Sequence, residues 1–321
     1  MFLAPDGHEI EIAEAAAAFL AEAMPITRLH RSAADASTAL RLTLGEMGWF
    51  ALALSEEKSG SGLSPVEHAL FFREVGRQCG PIEVLAQSLA VLLDMDDTCR
   101  ACLLAGTAGV AIAVSDGQRL LGPREVTYAL DVTPSGARLL SLDGSELAER
   151  PSLDPATPMR LVSGLPTNAV ATASGEYIWR MGQLGVAAML IGLAEAALEQ
   201  IVAYAKVRET FGRKIGSYQA VRHPCADMAL RVEAARSQLW YAATALKEGR
   251  GDAAVHLDAA KHLANQAAVA NADTNIQLHG GIGVTEEHTA HLYLKHALVL
   301  AKLFGAKRPL LASLLHAQAE V

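Results

Sequence analysis

The sequence predicts a mainly helical protein with a small β unit in its middle. Ala-, Leu- and Glu-rich helical patterns fill the first third and the last half of the chain, and short strand-like runs separate them. With 321 residues, of which 51% are hydrophobic, the chain can bury a sizeable interior. We expect an N-terminal helical domain at residues 1–108, a reduced middle β domain at 109–175 and a C-terminal helical bundle at 176–321.

The N-terminal part alternates helical patterns with polar breaks. A Gly/Ser-rich stretch at 54–65 predicts a surface loop. Pro65 suits the first turn of a helix, where its missing N–H is not needed, and Gly80-Pro81 interrupts the next pattern. The spacing predicts helices over residues 6–23, 33–47, 66–78 and, as one run after Gly80-Pro81, to about 106.

The middle part contains three short runs typical of strands, at Val110–Val114, Thr127–Val132 and Ala137–Leu142. Pro134-Ser-Gly136 predicts a hairpin turn between the last two. From Glu176 onward long Ala-rich helices return, with breaks at 212–217, 249–251 and 280–283.

The charge balance excludes some partners. Acidic residues outnumber basic ones by 35 to 27, so the net charge of −8 argues against nucleic acid, whose binding requires clustered Lys and Arg. The most apolar run, 183–194, is short and is followed by Glu195. No basic segment precedes an apolar stretch near residue 1. We therefore predict a cytoplasmic protein without a membrane span.

Cysteine and histidine spacing does not predict a metal site. Cys99 and Cys102 form a C-x-x-C, but no second close pair completes four ligands. His288, His291 and His296 have spacings that allow one shared helix face. We interpret these histidines as surface or interface side chains.

Two C-terminal motifs carry the strongest signal: Tyr204–Gln219, which contains Arg-Glu-Thr-Phe-Gly, and Gln277–Gly283, which reads Gln-Leu-His-Gly-Gly-Ile-Gly. Together with Leu44–Phe50 and Glu74–Arg77, they resemble the acyl-CoA dehydrogenase family over most of the chain. The resemblance implies an N-terminal helical domain, a β domain and a C-terminal four-helix bundle. It also implies FAD as cofactor and an acyl-CoA thioester as substrate.

The motif residues suit contact with a dinucleotide. The planar fork of Arg208 can hold a pyrophosphate, and Gln277 offers both a donor and an acceptor. Gly280 and Gly281 permit close backbone approach. The resemblance implies that Arg208 and Phe211 reach the FAD of a neighbouring subunit and that the other three line its adenine end. The alternative is structural: a helix salt bridge, a core phenylalanine and a helix stop.

The catalytic base of the family is missing. Alignment from the Gly-Gly motif places Phe304 where the family usually has glutamate, and Phe304 cannot accept a proton. Some members carry the base on the preceding long helix, where this chain has Gly182. We therefore predict no catalytic residue. The loops that hold the flavin ring are also absent, and Val114–Gln118 is the nearest remnant of one.

This pattern resembles the shortened, non-catalytic subunit of the heteromeric acyl-CoA dehydrogenases that degrade steroid side chains. The resemblance implies a heterotetramer in which a full-length subunit supplies the base and ring site for α,β-dehydrogenation, with an electron-transfer flavoprotein as acceptor. Two alternatives stay open. One is a self-sufficient homo-oligomer with a displaced base among Glu176, Glu209, Glu286 and Glu287; the other is a non-enzymatic scaffold that binds acyl-CoA.

Overall fold

The computed structural model describes residues 5–30, 36–114 and 118–317. Five helices precede the sheet: α1 (Gly7–Ala23), α2 (Ala36–Glu46), α3 (Pro65–Arg77), α4 (Glu83–Ala90) and α5 (Asp97–Leu104). Five follow it: α6 (Tyr177–Val207), α7 (Gln219–Lys247), α8 (Ala253–His279), α9 (Ala290–Leu300) and α10 (Lys307–His316). This order of helices, sheet and helical bundle confirms the predicted fold class.

Local capping explains where the first helices begin. The Asp6 carboxylate accepts from the Glu9 N–H at 2.9 Å, and Glu9 accepts in return from the Asp6 N–H at 2.8 Å. Ser64 and Glu67 form the same capping box around Pro65, so the predicted start of α3 is confirmed.

The single helix predicted to end near residue 106 is wrong, because the chain forms α4 and α5 with a break between them. Within the break, Asp94 exchanges two backbone hydrogen bonds with Thr172, at 2.9 and 3.3 Å. Asp96 then caps α5 by accepting from the Cys99 N–H. A long-range pairing of this kind leaves no periodic signal in the sequence.

Seven strands form the middle sheet, in the order β5-β6-β2-β1-β3-β4-β7. The three predicted strands are present as β1 (Val110–Val114), β3 (Tyr128–Thr133) and β4 (Gly136–Ser141), and Thr133 pairs with Gly136 across the predicted hairpin turn. Among the described strands, β1 and β3 are the only pair that runs in parallel. The sequence analysis missed four strands: β2 (Arg119–Leu121), β5 (Leu147–Arg150), β6 (Met159–Val162) and β7 (Ala169–Ser174).

Helix α6 lies at the centre of the bundle and packs against α3, α7 and α8. The backbones of α3 and α6 touch at two glycines. A β-carbon at Gly76 would lie 1.9 Å from the Met189 carbonyl oxygen, and one at Gly192 would lie 1.8 Å from the Arg73 carbonyl oxygen. Among the described helices, α6 alone is long and apolar enough to cross a membrane, and 72% of that apolar window is buried in the protein.

Glu83 is a buried carboxyl group at the start of α4. It is 4% exposed and accepts a 2.6 Å hydrogen bond from the Ser37 hydroxyl. Burial raises the pKa of Glu83 to about 7, against the opposing effects of the Ser37 hydrogen bond and of nearby Arg41. The folded protein therefore favours the neutral acid, and ionisation of Glu83 destabilises it.

We predict that Glu83→Gln changes the pH dependence of stability. Because the folded pKa lies above the unfolded value of 4.5, the contribution of Glu83 is present below pH 4.5 and is lost as the pH rises through about 7. The melting temperature of the variant, measured relative to that of wild type, should therefore rise as the pH increases from 5 to 8. The control is Glu22→Gln, at an exposed position. A difference from wild type that is equal at both pH values would contradict this account.

Candidate functional site

The two C-terminal motifs meet at one end of the bundle. Helix α6 ends at Val207 and α8 ends at His279. The Tyr204 ring packs on the His279 ring with centroids 4.5 Å apart, and His279 packs on His288 at 4.4 Å. These contacts bring the segment after α6 beside the segment after α8. We call the exposed surface formed by Arg208, Phe211, Gln277, Gly280 and Gly281 the motif rim.

A small hairpin presents Phe211. Strands β8 (Glu209–Thr210) and β9 (Arg213–Lys214) pair across a turn in which Phe211 and Gly212 have φ values of 50° and 77°. The Tyr218 hydroxyl donates to the Thr210 carbonyl at 2.9 Å and braces the hairpin. Phe211 is 94% exposed, so it does not fill a core. An exposed aromatic side chain on a non-glycine residue with left-handed backbone is a candidate for a binding surface.

Arg208 is held by its backbone and free at its side chain. Its N–H donates to the Tyr204 carbonyl at 2.9 Å, and its carbonyl accepts from the Ile215 N–H at 2.9 Å. The side chain is exposed and takes part in no ion pair within the described part of the chain. The structural alternative of a helix salt bridge is therefore wrong for Arg208.

The end of α8 is open to the outside. Gln277, Gly280 and Gly281 are exposed, and a β-carbon at either glycine would meet nothing within 4 Å. Gly280 has a φ of 68° and ends the helix, so the structural reading accounts for this glycine. Gly281 has no such explanation, because neither its backbone nor packing within the chain requires glycine there. A ligand or a second chain that approaches the backbone would require it.

The two positions for the family base lie in direct contact. Phe304 is 6% exposed, and its ring lies 5.4 Å from the Trp179 ring. A β-carbon at Gly182 would lie 2.3 Å from Cε1 of Phe304. Glycine at 182 is therefore what makes room for phenylalanine at 304. The two departures from the family pattern are therefore in contact with each other. Neither Gly182 nor Phe304 can accept or release a proton.

Lys261 and Asn265 hold the turn that carries Phe304. Phe304 and Gly305 both have positive φ, at 49° and 118°. The Gly305 carbonyl accepts from Lys261 Nζ and from Asn265 Nδ2, each at 3.3 Å, and Lys261 Nζ also donates to Asn265 at 2.6 Å. Lys261 is fully buried, and burial lowers its pKa to about 7.

Sequence reasoning missed Lys261, although a signal was present. The buried face of α8 contains Leu257, Ala260, Ala264 and Ala268, and Lys261 lies within that apolar pattern. A lysine on a buried helix face requires hydrogen-bond acceptors, so the pattern itself pointed to a site.

A cavity of about 610 Å³ lies between the sheet and the Phe304 turn. Strands β1 and β3, Trp179 and the turn at residues 302–305 line it. Its lining carboxylate, Asp131, accepts a 2.6 Å hydrogen bond from Arg138. The displaced-base candidates Glu176, Glu209, Glu286 and Glu287 are not among the lining residues. The predicted remnant of a flavin-ring loop, Val114–Gln118, includes residues 115–117, which lie outside the described residues.

The histidine interpretation was wrong in one respect. His296 is fully buried rather than at a surface, and its Nδ1 lies 2.7 Å from a carboxylate oxygen of the buried Asp154. His288 precedes α9, so the three histidines do not share one helix face. Cys99 and Cys102 are free thiols on α5. Among the described residues, no group of three or more His, Cys, Asp or Glu side chains is placed to hold a metal ion.

Two family models match the chain: the N-terminal domain of acyl-CoA dehydrogenase over residues 6–95 and its C-terminal domain over 179–314. Acyl-CoA dehydrogenase FadE34 from Mycobacterium tuberculosis is 36% identical over 293 residues, and the match covers 85% of this chain and 41% of FadE34. Acyl-CoA dehydrogenase IpdE2 from Mycolicibacterium smegmatis is 30% identical over 272 residues, and the match covers 84% of both chains. The chain thus spans about two fifths of FadE34 and most of IpdE2.

Solved structures share the fold. In the ChsE4-ChsE5 complex from Mycobacterium tuberculosis, one chain matches with a TM-score of 0.82 and 19% identity, over 99% of this chain and 100% of that one. A structure described as a steroid ACAD matches with a TM-score of 0.80 and 23% identity, over 96% of both chains. At these identities the likeness shows the fold alone.

We predict that Gly182→Ala and Phe304→Ala are energetically coupled. Gly182→Ala should destabilise by about 1–3 kcal/mol through overpacking, and Phe304→Ala by about 3–5 kcal/mol through a cavity. In the double variant the new methyl group occupies space that the ring has left. The loss of unfolding free energy in the double variant should therefore be smaller than the sum of the two single losses by about 1 kcal/mol or more. Urea unfolding of the four proteins measures the coupling. Gly182→Ala combined with the distant Phe50→Ala is the control, and strict additivity in both cycles would contradict the contact.

A second prediction concerns Lys261→Met. The folded pKa of about 7 lies below the unfolded value of 10.5, so the contribution of Lys261 is present above pH 10.5 and is lost as the pH falls through about 7. As the pH rises from 7 to 10, the free energy of unfolding of wild type should therefore increase relative to that of the variant. Urea unfolding at both pH values measures this, with the exposed Lys206→Met as control. A pH-independent difference would show that Lys261 is not held in a desolvated site.

Proposed function

The chain belongs to the acyl-CoA dehydrogenase family, and from this premise we propose that it is the non-catalytic subunit of a heteromeric, FAD-dependent acyl-CoA dehydrogenase. The enzyme class is that of oxidoreductases acting on CH–CH bonds, and the reaction is α,β-dehydrogenation of an acyl-CoA thioester. In this assembly the chain contributes its motif rim to FAD held by a full-length catalytic subunit.

One observation carries the proposal. The two residues at the positions expected for a base, Gly182 and Phe304, are in contact with each other, and neither can accept a proton. Phe304 fills the space over Gly182 and packs on Trp179. Deprotonation of a thioester α-carbon requires a carboxylate or another base within hydrogen-bond reach. We infer that the proton acceptor comes from a second polypeptide.

The residues of the motif rim fit FAD. Arg208 presents an exposed guanidinium that can donate two charge-assisted hydrogen bonds to a pyrophosphate. Gln277 can both donate to and accept from a nucleotide, and the open backbone at Gly280 and Gly281 allows close approach. Phe211 supplies an apolar face at the hairpin tip. Bound FAD supplies the hydride acceptor of the reaction.

The comparisons support a heteromer and a large substrate. The fold is shared with a chain of the ChsE4-ChsE5 complex and with a steroid ACAD. We propose a full-length acyl-CoA dehydrogenase as partner in a heterotetramer, a steroid side-chain thioester as substrate and an electron-transfer flavoprotein as electron acceptor. We place the complex in the cytoplasm. Equal turnover of a straight-chain acyl-CoA would contradict the proposed substrate class.

The alternatives have less support. A self-sufficient homo-oligomer requires a displaced base, and Glu176, Glu209, Glu286 and Glu287 do not line the cavity beside Phe304. Glu176 instead accepts from Arg180 at 3.0 Å, and Glu209 pairs with Lys214 at 2.6 Å. A scaffold without cofactor gives no reason for glycine at the open position 281, since packing within the described part of the chain does not require it there.

We predict that Arg208→Ala weakens FAD retention by the assembled complex. Loss of a charge-assisted phosphate contact costs about 1.5–3 kcal/mol, which corresponds to a roughly 10- to 150-fold weaker affinity. The measurement is the ratio of flavin absorbance to protein after gel filtration of the complex with its full-length partner. Arg250→Ala is the matched control, since Arg250 lies in the turn between α7 and α8, at the far end of both helices from the motif rim. Unchanged flavin content in an intact Arg208→Ala complex would remove Arg208 from the site.

A further inference from the structure

A second cavity, of about 620 Å³, lies where the N-terminal helical domain meets the sheet. Strand β6 and the loop between β5 and β6 line it from the sheet side, and Leu29 and Ser37 line it from the N-terminal side. Its volume falls within the range of about 300–1,000 Å³ that is typical of small-molecule sites. We call this cavity the arginine pocket because three arginines line it: Arg124, Arg150 and Arg160.

Arg160 is the buried arginine of the pocket. It lies on β6, is 5% exposed and donates a hydrogen bond to the Pro123 carbonyl. A guanidinium carries five N–H donors, and no second residue in the described part of the chain accepts from this one. Burial and the charge of Arg124 lower the pKa of Arg160, against the opposing effect of Glu149. An anion in the pocket would supply both hydrogen-bond acceptors and a counter-charge to this buried cation.

Asp154 shapes the pocket wall rather than opposing an anion. Its Oδ1 accepts from the Ala156 N–H at 3.0 Å, and its Oδ2 accepts from the Thr157 hydroxyl at 2.6 Å and lies 2.7 Å from Nδ1 of His296. The Asp154 N–H donates to Oγ of Ser152 at 3.2 Å. Both carboxylate oxygens are thus engaged inside the protein. Three prolines in the same loop restrict its backbone further: Pro151, Pro155 and Pro158.

The remaining charges leave the pocket positive. Glu149 is the other carboxylate among the lining residues, and it lies 3.8 Å from Arg124 and opposite Arg160 in the pairing of β5 with β6. One carboxylate does not neutralise three guanidinium groups. Behind the opposite wall, Ser37 donates to Glu83, whose pKa burial raises to about 7, so Glu83 carries less than a full negative charge at neutral pH. A chain with a net charge of −8 therefore carries a local field that favours an anionic ligand.

The shape and charge of the pocket indicate which anion fits. Guanidinium groups bind phosphate oxygens through paired, charge-assisted hydrogen bonds, and a phosphoryl group offers three such oxygens with a charge of about −1.5 to −2 at pH 7. A single carboxylate offers two oxygens and one charge. Leu29, Met159 and the loop prolines add apolar surface, which suits an organic group attached to the phosphate.

We propose that the arginine pocket binds a phosphomonoester, a small organic molecule whose terminal phosphoryl group contacts Arg124, Arg150 and Arg160. The organic part lies against Leu29 and Met159. This inference is independent of the proposed function, because the pocket shares no lining residue with the motif rim or with the cavity beside Phe304. It gives the chain a second small-molecule site, between its first helices and its sheet.

The test uses phenyl phosphate as the probe, with isothermal titration calorimetry of the purified full-length chain. We expect saturable binding at one site. Inorganic phosphate should bind more weakly because it lacks the organic part, and phenol should not bind because it lacks the charge. Arg124→Ala and Arg150→Ala, at exposed positions, should each weaken the affinity for phenyl phosphate roughly 10-fold or more. Arg160→Gln should do the same, provided that circular dichroism shows a native fold.

A further variant separates ligand binding from a structural role of the arginines. Glu149→Gln removes the carboxylate that competes with the phosphoryl group, so the affinity should increase about threefold or more. A purely structural ion pair with Arg124 predicts no such gain. Arg308→Ala, at an exposed position on α10, and Arg208→Ala, in the motif rim, are the controls, and both should bind phenyl phosphate as wild type does.

Three outcomes would overturn the inference. The first is no saturable binding of phenyl phosphate at millimolar concentration. The second is equal affinity in wild type and in all three variants of the pocket arginines, which would place the ligand elsewhere. The third is loss of binding in Arg208→Ala, which would assign the phosphoryl group to the motif rim. None of these results bears on assembly with a catalytic subunit, so the proposed function stands or fails separately.

Discussion

The contact between the Phe304 ring and the backbone at Gly182 determines what this chain can do. It joins the start of α6 to the turn after α9, and the ring packs on Trp179. The turn that carries Phe304 depends on the buried Lys261 and Asn265, which donate hydrogen bonds to the Gly305 carbonyl. The two positions at which the sequence analysis expects a family base thus serve packing here.

Helix α6 connects the contact between Gly182 and Phe304 to the exposed motif rim. Gly182 lies near the start of α6 and Arg208 follows its end, about 39 Å away along the helix axis. Between them α6 crosses α3 at Gly76 and Gly192, where backbones are in contact and leave no room for a side chain. A helix fixed in this way is a rigid support, so the hairpin that presents Phe211 starts from a defined position.

The sequence predicted much of the fold because periodic and capping signals are local. The capping box at Asp6, Pro65 at the start of α3 and the Pro134-Ser135 turn each fix structure within a few residues. Strands β2, β5, β6 and β7 escaped prediction because they are short and partly polar, and their stability comes from neighbours distant in sequence. The break between α4 and α5 escaped for the same reason, since Asp94 pairs with Thr172. Within the site, motif spacing predicted roles for Arg208, Gln277 and the two base positions, and these roles stay predictions. The contact between Phe304 and Gly182 and the role of Lys261 required three-dimensional packing.

We propose that this chain completes a flavin site that belongs to another subunit. Its most direct test is the visible absorption spectrum and the native mass of the purified chain, alone and after co-expression with any full-length acyl-CoA dehydrogenase that is encoded beside it. The account predicts a colourless chain alone and a yellow mixed complex with one FAD for each pair of unlike subunits. A yellow, catalytically active homomer would contradict it, because a base and a ring site would then have to exist within this chain.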